Sequence, residues 1–341
     1  MIKRVLYLGY YLKQLDRNKF STFLEYTNKY TEASKIVILL DVLQSVFKYN
    51  ISLLEYFQFR FFELGKEKRN SYAGTGYMYE YQLKMNPKTE RHILDDKTLF
   101  YKNYSEFFVH KVADLATLKD NHQVADQILS NPSEKIVLKV SDGKCGKGVL
   151  IKRTQEFTAS SLVVYMEKEG FELAEEFLIQ HPLLKTLSPS AVNTIRIFTQ
   201  LNHQNEVEIL GCRLRISVDS PVDNMAAGNL AAPIDEETGV VYGPGVYSDI
   251  TKQDQVIHPI TGVAIEGFQI PFWNECLDMA KQAALKHTQN RSIGWDIVIT
   301  ENGPGLIEGN HDWCKLLWQL PVKFGMKQIL DSYKILNKVL K

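Results

Sequence analysis

A glycine-rich segment lies between two short runs of β-forming residues, and this order constrains the fold more than any other feature. Residues 135–140 lead into the segment 141–148, and residues 149–151 follow it. A Walker phosphate-binding loop needs Gly-Lys, then Ser or Thr, and then a helix. Here Lys147 is followed by Gly148 and a strand, and a dinucleotide-binding fingerprint would also open a helix. The sequence therefore predicts a hairpin of strand, glycine loop and strand.

Such a hairpin can fold its backbone N–H groups over phosphates. Lys144 and Lys147 add positive charge to the loop, and Lys139 lies in the strand that enters it, between Leu138 and Val140. A lysine at that position either faces water or reaches a phosphate as a point charge. The alternative for the whole segment is a surface hairpin that binds nothing.

A second hairpin is predicted at residues 294–310. Because strand residues alternate between faces, Glu308 and Asn310 share one face. If residues 301–303 form the turn, Asp296 lies directly opposite Glu308. Like charges in that position are destabilising unless a cation lies between them, and carboxylate and amide oxygens suit Mg²⁺. The alternative is a pair of acids on a solvated sheet face.

Arginines form a third group of candidate site residues. A hairpin of residues 193–201 and 207–218 carries Arg196 on its first strand, and Arg213 and Arg215 on one face of its second. Arginine within apolar strands is costly unless it is paired. The partners are either structural acids or an anionic group of a substrate, which arginines bind in a bidentate manner.

The remaining patterns indicate helices. Apolar residues recur at helical spacing over 39–47 and 51–64, which predicts a helical cap up to about residue 86. The alternative for this region is a docking surface for a membrane or a partner.

Three further segments have a predicted structure. Residues 172–179 are predicted to be extended, residues 272–287 to form a helix, and a last helix is predicted from about residue 323.

Composition excludes several classes of function. The 341 residues include 40 basic and 40 acidic residues, so no net field favours nucleic acid or an anionic membrane. The four cysteines have neither zinc-ligand nor C-x-x-C spacing, which indicates free thiols in a reducing cytosol. No uncharged run reaches membrane-spanning length, and the N-terminal sequence is not typical of a signal peptide. These features predict a cytoplasmic enzyme acting on small molecules.

In this order, the motifs resemble the ATP-grasp superfamily, and more closely the sugar-transfer-associated ATP-grasp proteins related to α-L-glutamate ligases. The resemblance extends from about Asp95 to the C-terminus and rests on residues 96–97, 137–148, 175–178, 193–196, 294–296 and 306–310. It implies an α+β fold in which two lobes clamp ATP. Residues 1–94 would be a helical N-terminal region, about 110–178 a small nucleotide lobe, and about 179–341 a large lobe for metal and substrate.

The resemblance also implies roles for individual residues. The phosphates of ATP would be contacted or covered by Lys97, Lys139, Ser141, Gly143, Lys144, Gly146, Lys147 and Gly148. Adenine and ribose would be bound by Glu175, Glu176, Phe177, Leu178 and Gln180, of which Gln180 stands where a carboxylate is more usual. Magnesium would be bound by Asp296, Glu308 and Asn310. The catalytic residues would be Arg196, Arg215 and Arg213, and residues 226–229 would form a loop on the substrate side.

The implied reaction is ATP-dependent joining of a carboxylate to an amine. A carboxylate is a poor electrophile because its leaving group would be oxide, and phosphorylation supplies a better one. Positioning and charge neutralisation then do most of the catalysis. The substrates would be sugar-linked and used in surface-polysaccharide synthesis. The alternatives are a kinase that phosphorylates a hydroxyl and a nucleotide-binding, non-catalytic partner of glycosyltransferases.

Overall fold

Two antiparallel sheets form the frame of the protein in a computed structural model that describes residues 2–143 and 148–336. The smaller sheet consists of β1 (Val112–Asp114), β2 (Lys135–Lys139), β3 (Val149–Arg153) and β4 (Leu173–Glu176), in the order β1-β4-β2-β3. The larger sheet consists of β5 (Ile195–Leu201), β6 (Val207–Ile216), β7 (Leu230–Ile234), β8 (Ser292–Thr300) and β9 (Gly303–Asn310), in the order β7-β6-β5-β8-β9. Lys144, Gly146 and Lys147 of the predicted loop lie outside the described residues.

Helices surround the two sheets. The N-terminal helices are α1 (Ile2–Lys13), α2 (Arg17–Thr31), α3 (Lys35–Tyr49), α4 (Leu53–Gln58), α5 (Lys66–Asn70) and α6 (Thr75–Met85). The central helices are α7 (His92–Asp95), α8 (Lys97–Tyr104), α9 (Leu115–Asp120), α10 (His122–Leu129), α11 (Ala159–Glu169) and α12 (Pro182–Leu187). The C-terminal helices are α13 (Trp273–Lys286), α14 (Lys315–Gln319) and α15 (Lys327–Leu336). The predicted helical start of the chain is confirmed, whereas β1, β7 and α8 to α12 were not predicted.

The smaller sheet packs one face against helices. Leu118 of α9, Ile128 of α10 and Leu162 of α11 share a core with Ile136 and Leu138 of β2. Since side chains alternate along a strand, the residue after Leu138 lies on the opposite face. The predicted pairing of the two strands around the glycine loop is confirmed, with Lys139 opposite Val149. Beyond Glu176 the extended segment leaves the sheet, earlier than predicted.

The larger sheet separates two cores. Ile195, Ile197 and Trp295 lie on the face that packs against α13. The other face carries Phe198 against Trp313 and Trp318. Arg196 shares this second face because it lies two residues from Phe198 on the same strand. The charged residues of the second face therefore lie beside an apolar layer that shields them from water on one side.

The predicted pairing of Asp296 with Glu308 is confirmed, but the turn differs from the predicted one. Thr300 pairs with Gly303, so only two residues form the turn instead of three. The register then shifts between Asp296 and Ile297, which adds one residue on the opposite strand. This bulge offsets the shorter turn, and the two carboxylates face each other as they would with a three-residue turn.

Two further expectations can be compared with the structure. The last helix begins at Lys327 rather than about residue 323, because Lys323 has a φ of 60°, which ends helical backbone. Cys212, Cys276 and Cys314 are free thiols, and the fourth cysteine lies outside the described residues. Within the described ranges, no helix combines the length and apolar character needed to cross a membrane.

Glu55 connects the N-terminal helices to the C-terminal part of the chain. This residue of α4 has only 1% of its surface exposed. Its carboxylate accepts the N–H groups of Ser52 at 2.7 Å and Thr75 at 2.9 Å, and the Lys315 ammonium lies 3.0 Å away. Thr75 is the first residue of α6, so the negative charge also lies at the positive end of a helix dipole.

We expect Glu55→Gln to lower the free energy of unfolding by about 3 kcal/mol, because Lys315 would be left buried without a counter-ion. Urea denaturation at pH 7 measures this change. The control is Glu25→Gln, which breaks an exposed ion pair with Lys35 and should cost less than about 1 kcal/mol. The double variant Glu55→Gln/Lys315→Met should recover part of the loss. Equal, small effects of the two single variants would contradict this prediction.

Candidate nucleotide and metal site

Asp296 lies between two arginines on the second face of the larger sheet. Arg196 of β5 binds its carboxylate through two parallel hydrogen bonds, one of them 2.8 Å long from Nη2 to Oδ2. Arg215 of β6 donates to the same Oδ2 from Nη1 at 2.7 Å. Burial by itself would raise the pKa of Asp296, but the two guanidinium groups outweigh it and hold the pKa well below the ordinary value. Asp296 is therefore ionised throughout the physiological range.

Glu308 faces this cluster from β9. Its Oε1 accepts a hydrogen bond from Nδ2 of Asn310 at 3.2 Å, and its side chain remains exposed. Partial desolvation of the carboxylate and then repulsion by Asp296 raise the pKa of Glu308, while Arg196 opposes the shift. The two neighbouring carboxylates thus have pKa values that move in opposite directions, which is frequent at functional sites.

These side chains fit a magnesium ion that is shared with a nucleotide. Mg²⁺ is usually held by one or two carboxylates together with phosphate oxygens and water, and Asp296, Glu308 and Asn310 supply two carboxylates and one amide. Glu308 is exposed and close to a second negative charge, so a cation would relieve the repulsion between the two carboxylates. In the described part of the chain, no group of three or more His, Cys, Asp or Glu side chains could hold a metal alone.

A second charge cluster lies on the smaller sheet. Lys139 of β2 forms an ion pair with Glu175 of β4 at 2.6 Å, and Nε2 of His110 lies 3.3 Å from the same carboxylate oxygen. Burial would raise the pKa of Glu175, but Lys139 and then His110 lower it to about 2. Glu175 is thus the counter-ion of a partly buried lysine beside the glycine loop.

Lys97 lies between the two clusters. Its backbone N–H donates to the carbonyl of Ser141 at 3.0 Å, and its ammonium donates to the carbonyl of Gly143. Burial and Lys139 lower the pKa of Lys97, whereas Glu308 raises it. One lysine at the start of α8 therefore contacts the glycine loop and interacts with the charges of both sheets.

The other predicted nucleotide-binding positions lie around the glycine loop and the segment that leaves β4. Ser141 donates its N–H to Glu172 at 2.6 Å, and Gly148 has a φ of 72° where the loop rejoins β3. Glu176 accepts the N–H of Lys111 at 2.9 Å. The ring of Phe177 lies 5.2 Å from the ammonium of Lys135, and Leu178 follows in irregular backbone.

The side chains of Arg213 and Gln180 bind main-chain carbonyls rather than the residues of the two charge clusters. Arg213 is buried, and its Nε and Nη2 donate to the carbonyl of Trp318 at 3.0 and 2.6 Å. It thereby binds the C-terminal end of α14, where cations are favourable. The amide of Gln180 donates to the carbonyls of Ser188 and Ala191, both at 3.0 Å. Both side chains stabilise the fold, so we do not include either in the proposed mechanism.

Two residues next to the site carry no signal in the sequence. Asp223 forms an ion pair with Arg215 at 2.6 Å, and its other oxygen accepts the N–H of Thr194 at 2.8 Å. His110 completes the group around Glu175. His110 precedes β1 and meets Glu175 on the adjacent strand β4. Asp223 meets Arg215 from an irregular loop, so no spacing rule could have identified either residue. Asn229, in the predicted substrate-side loop, is buried and accepts the N–H of Val218 at 2.8 Å.

Comparison with known proteins identifies the class to which this fold and site belong. The sequence matches a family described as sugar-transfer associated ATP-grasp over residues 77–334, which is more than half of the chain. The expected α+β fold of the ATP-grasp class is therefore confirmed. The chain belongs to the sugar-transfer associated ATP-grasp family. The match begins within the predicted N-terminal region, and the boundary at residue 94 stays a prediction.

Several solved structures have a similar fold. N5-carboxyaminoimidazole synthetase from Staphylococcus aureus, complexed with ADP, has 8% identity over 64% of this chain and 45% of its own, with a TM-score of 0.39. An ATP-grasp RimK domain protein from Sphaerobacter thermophilus has 11% identity over 72% and 69%, with a TM-score of 0.39. Biotin carboxylase from Campylobacter jejuni has 14% identity over 74% and 53%, with a TM-score of 0.43.

These similarities are weak, and no substrate or residue role follows from them. The chain spans about half the length of the synthetase and of the carboxylase. No curated protein matches the sequence.

The raised pKa of Glu308 predicts that its charge destabilises the ligand-free protein. A folded state that binds a proton more tightly than the unfolded state loses stability as the pH rises through the folded pKa. We therefore expect Glu308→Gln to increase the free energy of unfolding at pH 7 by up to about 1 kcal/mol, since solvent weakens the repulsion.

Urea denaturation over a pH series without nucleotide measures this effect. As the pH rises above the ordinary pKa of a glutamate, the variant should also lose less stability than the wild type, whose raised carboxyl pKa makes ionisation costly. Glu301→Gln, in the turn of the same hairpin, is the matched control and should leave stability unchanged. A loss of stability in Glu308→Gln would show that Asp296 does not repel this carboxylate.

Proposed function

We propose that the protein binds ATP with magnesium between its two sheets and uses it to activate a carboxylate, which then reacts with an amine. Membership of the ATP-grasp family supports the nucleotide. The name of the family supports a sugar-linked carboxylate or amine as substrate. The reaction consumes ATP, in keeping with an enzyme of the cytoplasm.

The position of Lys97 carries the proposal. Its ammonium interacts with Lys139 and Glu175 of the smaller sheet and with Glu308 of the larger one. A chain of phosphates extending from the charge cluster of the smaller sheet to that of the larger sheet would contact Lys139 and Lys97 and then reach Asp296 and Glu308. A half-buried lysine with a lowered pKa gains from such an anion, because the anion supplies a counter-charge.

The smaller sheet would bind the nucleotide base and the phosphates. Lys139 is held in place by Glu175, so its ammonium is already oriented before ATP arrives. Phe177 and Leu178 follow the last paired residue of β4, and their backbone is the proposed partner of adenine. The residues around Gly143 and Gly148 would close over the phosphates.

The larger sheet would neutralise the charge that moves during phosphoryl transfer. Glu308, Asn310 and Asp296 would hold magnesium, which would neutralise phosphate charge when it is bound. Arg196 and Arg215 each have five N–H donors, so donors remain after their bonds to Asp296. These remaining donors would bind the carboxylate of the substrate or the transferred phosphoryl group.

The proposed chemistry proceeds in two balanced steps. An oxygen of the substrate carboxylate attacks the γ-phosphorus of ATP, ADP leaves, and an acylphosphate forms. The nitrogen of the amine then attacks the acyl carbon, phosphate leaves with the electron pair of the broken C–O bond, and the amine loses a proton. No side chain has to act as a nucleophile, which agrees with a site made of lysines, arginines and acids.

Binding of Mg-ATP should stabilise the protein against heat. A ligand at about 100 times its dissociation constant contributes roughly 2.7 kcal/mol, and EDTA should remove most of the resulting rise in Tm. Lys139→Met/Glu175→Gln removes both partners of one ion pair, so it should fold yet lose the shift. Lys152→Met, on the neighbouring strand, is the control and should keep it. A folded wild-type protein without bound nucleotide that shows no shift at millimolar Mg-ATP would contradict the proposal.

Trapping with hydroxylamine distinguishes a ligase from a kinase. Candidate uronic acids and amino acids are incubated with the protein, Mg-ATP and hydroxylamine. We expect the cognate acid to yield ADP, free phosphate and a hydroxamate, because a strong amine nucleophile captures the acylphosphate. A stable phosphate ester on a sugar hydroxyl, without hydroxamate, would overturn the ligase assignment and leave nucleotide binding intact.

A further inference from the structure

Helix α3 has two opposite apolar faces, and only one of them is covered. Ile38, Val42 and Val46 are buried against the other N-terminal helices. On the opposite side, four apolar residues recur at intervals of four, three and four residues and form the exposed face of α3. Their exposed fractions are 72% for Ile36, 62% for Leu40, 42% for Leu43 and 39% for Phe47. A surface helix normally carries polar residues on its outer side.

Helix α1 has the same unusual composition. Tyr11 is buried on its inner side, whereas the outer side is apolar and aromatic. The exposed fractions are 55% for Val5, 68% for Leu6, 55% for Tyr10 and 54% for Leu12. Apolar surface of this extent on two helices that contact each other is typical of an interaction site rather than of a free surface.

The charges on these two helices are one-sided. Helix α1 contains Lys3, Arg4 and Lys13 and no acidic residue. The only acidic residue of α3 is Asp41, and Arg69 binds its carboxylate at 2.6 and 2.8 Å. The outer sides of α1 and α3 therefore carry no acidic charge. The whole chain, by contrast, has equal numbers of basic and acidic residues. Overall neutrality conceals a basic, apolar surface at the N-terminal helices.

We propose that α1 and the exposed face of α3 dock on an anionic lipid surface. Helices that lie in a membrane interface combine basic residues with exposed leucine, phenylalanine and other apolar side chains. Anionic headgroups would complement Lys3, Lys13 and Lys48, and the apolar residues would enter the boundary of the acyl chains. A symmetric contact with a second copy would bring like charges together, so the lipid surface is the better complement.

This docking is independent of the proposed nucleotide chemistry. Both helices precede residue 77, where the family match begins, and none of their residues belongs to the charge clusters of the site.

Vesicle flotation tests the proposal. The wild-type protein should bind to and float with vesicles of equal parts of phosphatidylglycerol and phosphatidylcholine. Much less protein should float with vesicles of phosphatidylcholine alone. Raising the salt concentration should weaken the binding, because it screens the lysines. Leu40→Glu/Leu43→Glu should reduce the binding at least about tenfold, since each change removes an apolar contact and adds repulsion.

The control variant is Val164→Glu/Leu285→Glu, which places the same charges on exposed apolar residues of α11 and α13. It should bind vesicles as the wild type does. Leu40→Gln/Leu43→Gln removes the apolar side chains without adding charge, so its loss of vesicle binding should be intermediate. Failure of the wild type to float, or an equal loss in the control, would overturn the proposal. So would a wild-type dimer in light scattering that Leu40→Glu/Leu43→Glu converts to a monomer without any vesicle binding.

Discussion

The ion cluster around Asp296 is the interaction on which the larger sheet and its site depend. Three adjacent strands each contribute one charged residue: Arg196 from β5, Arg215 from β6 and Asp296 from β8. All three are largely buried, so each would be costly without the others. Asp223 extends the cluster to the loop after β6 and also binds the backbone of Thr194. The geometry of four separate chain segments is thereby fixed by a few charge-assisted hydrogen bonds.

The same cluster compensates its two acids unequally. Both arginines bind Asp296 directly, whereas Glu308 on the neighbouring strand accepts a hydrogen bond from the amide of Asn310 and is repelled by the Asp296 carboxylate, which raises its pKa. A sequence selected for stability alone would avoid a carboxylate at that position. Local conflicts of this kind are expected at functional sites, where binding of a ligand offsets them. Lys97 supplies a positive charge nearby but remains bound to the glycine loop, so the conflict persists in the ligand-free protein.

Sequence reasoning succeeded where a contact depends on strand alternation. The faces of Arg196 and Asp296 follow from the period of two, and so does the shared face of Arg213 and Arg215. Alternation gives the face of a side chain but not its direction within that face: Arg213 lies directly opposite Arg196 in the sheet, yet its guanidinium binds the carbonyl of Trp318. The pairing of Asp296 with Glu308 was predicted with the wrong turn, because a sequence pattern does not reveal a bulge. Asp223 and His110 were missed since their roles depend only on tertiary contacts.

The N-terminal helices contribute to the site although none of their side chains lies in it. Asn86, just after α6, is fully buried and donates to the carbonyls of Ser292 and His311, both at 2.8 Å. It also accepts the N–H of Ser292 at 3.1 Å. One amide therefore joins the start of β8 to the residue after β9, and these are the strands that carry the acidic pair. The buried amide therefore ties the helical region to both strands of the acidic pair, far along the chain from either of them.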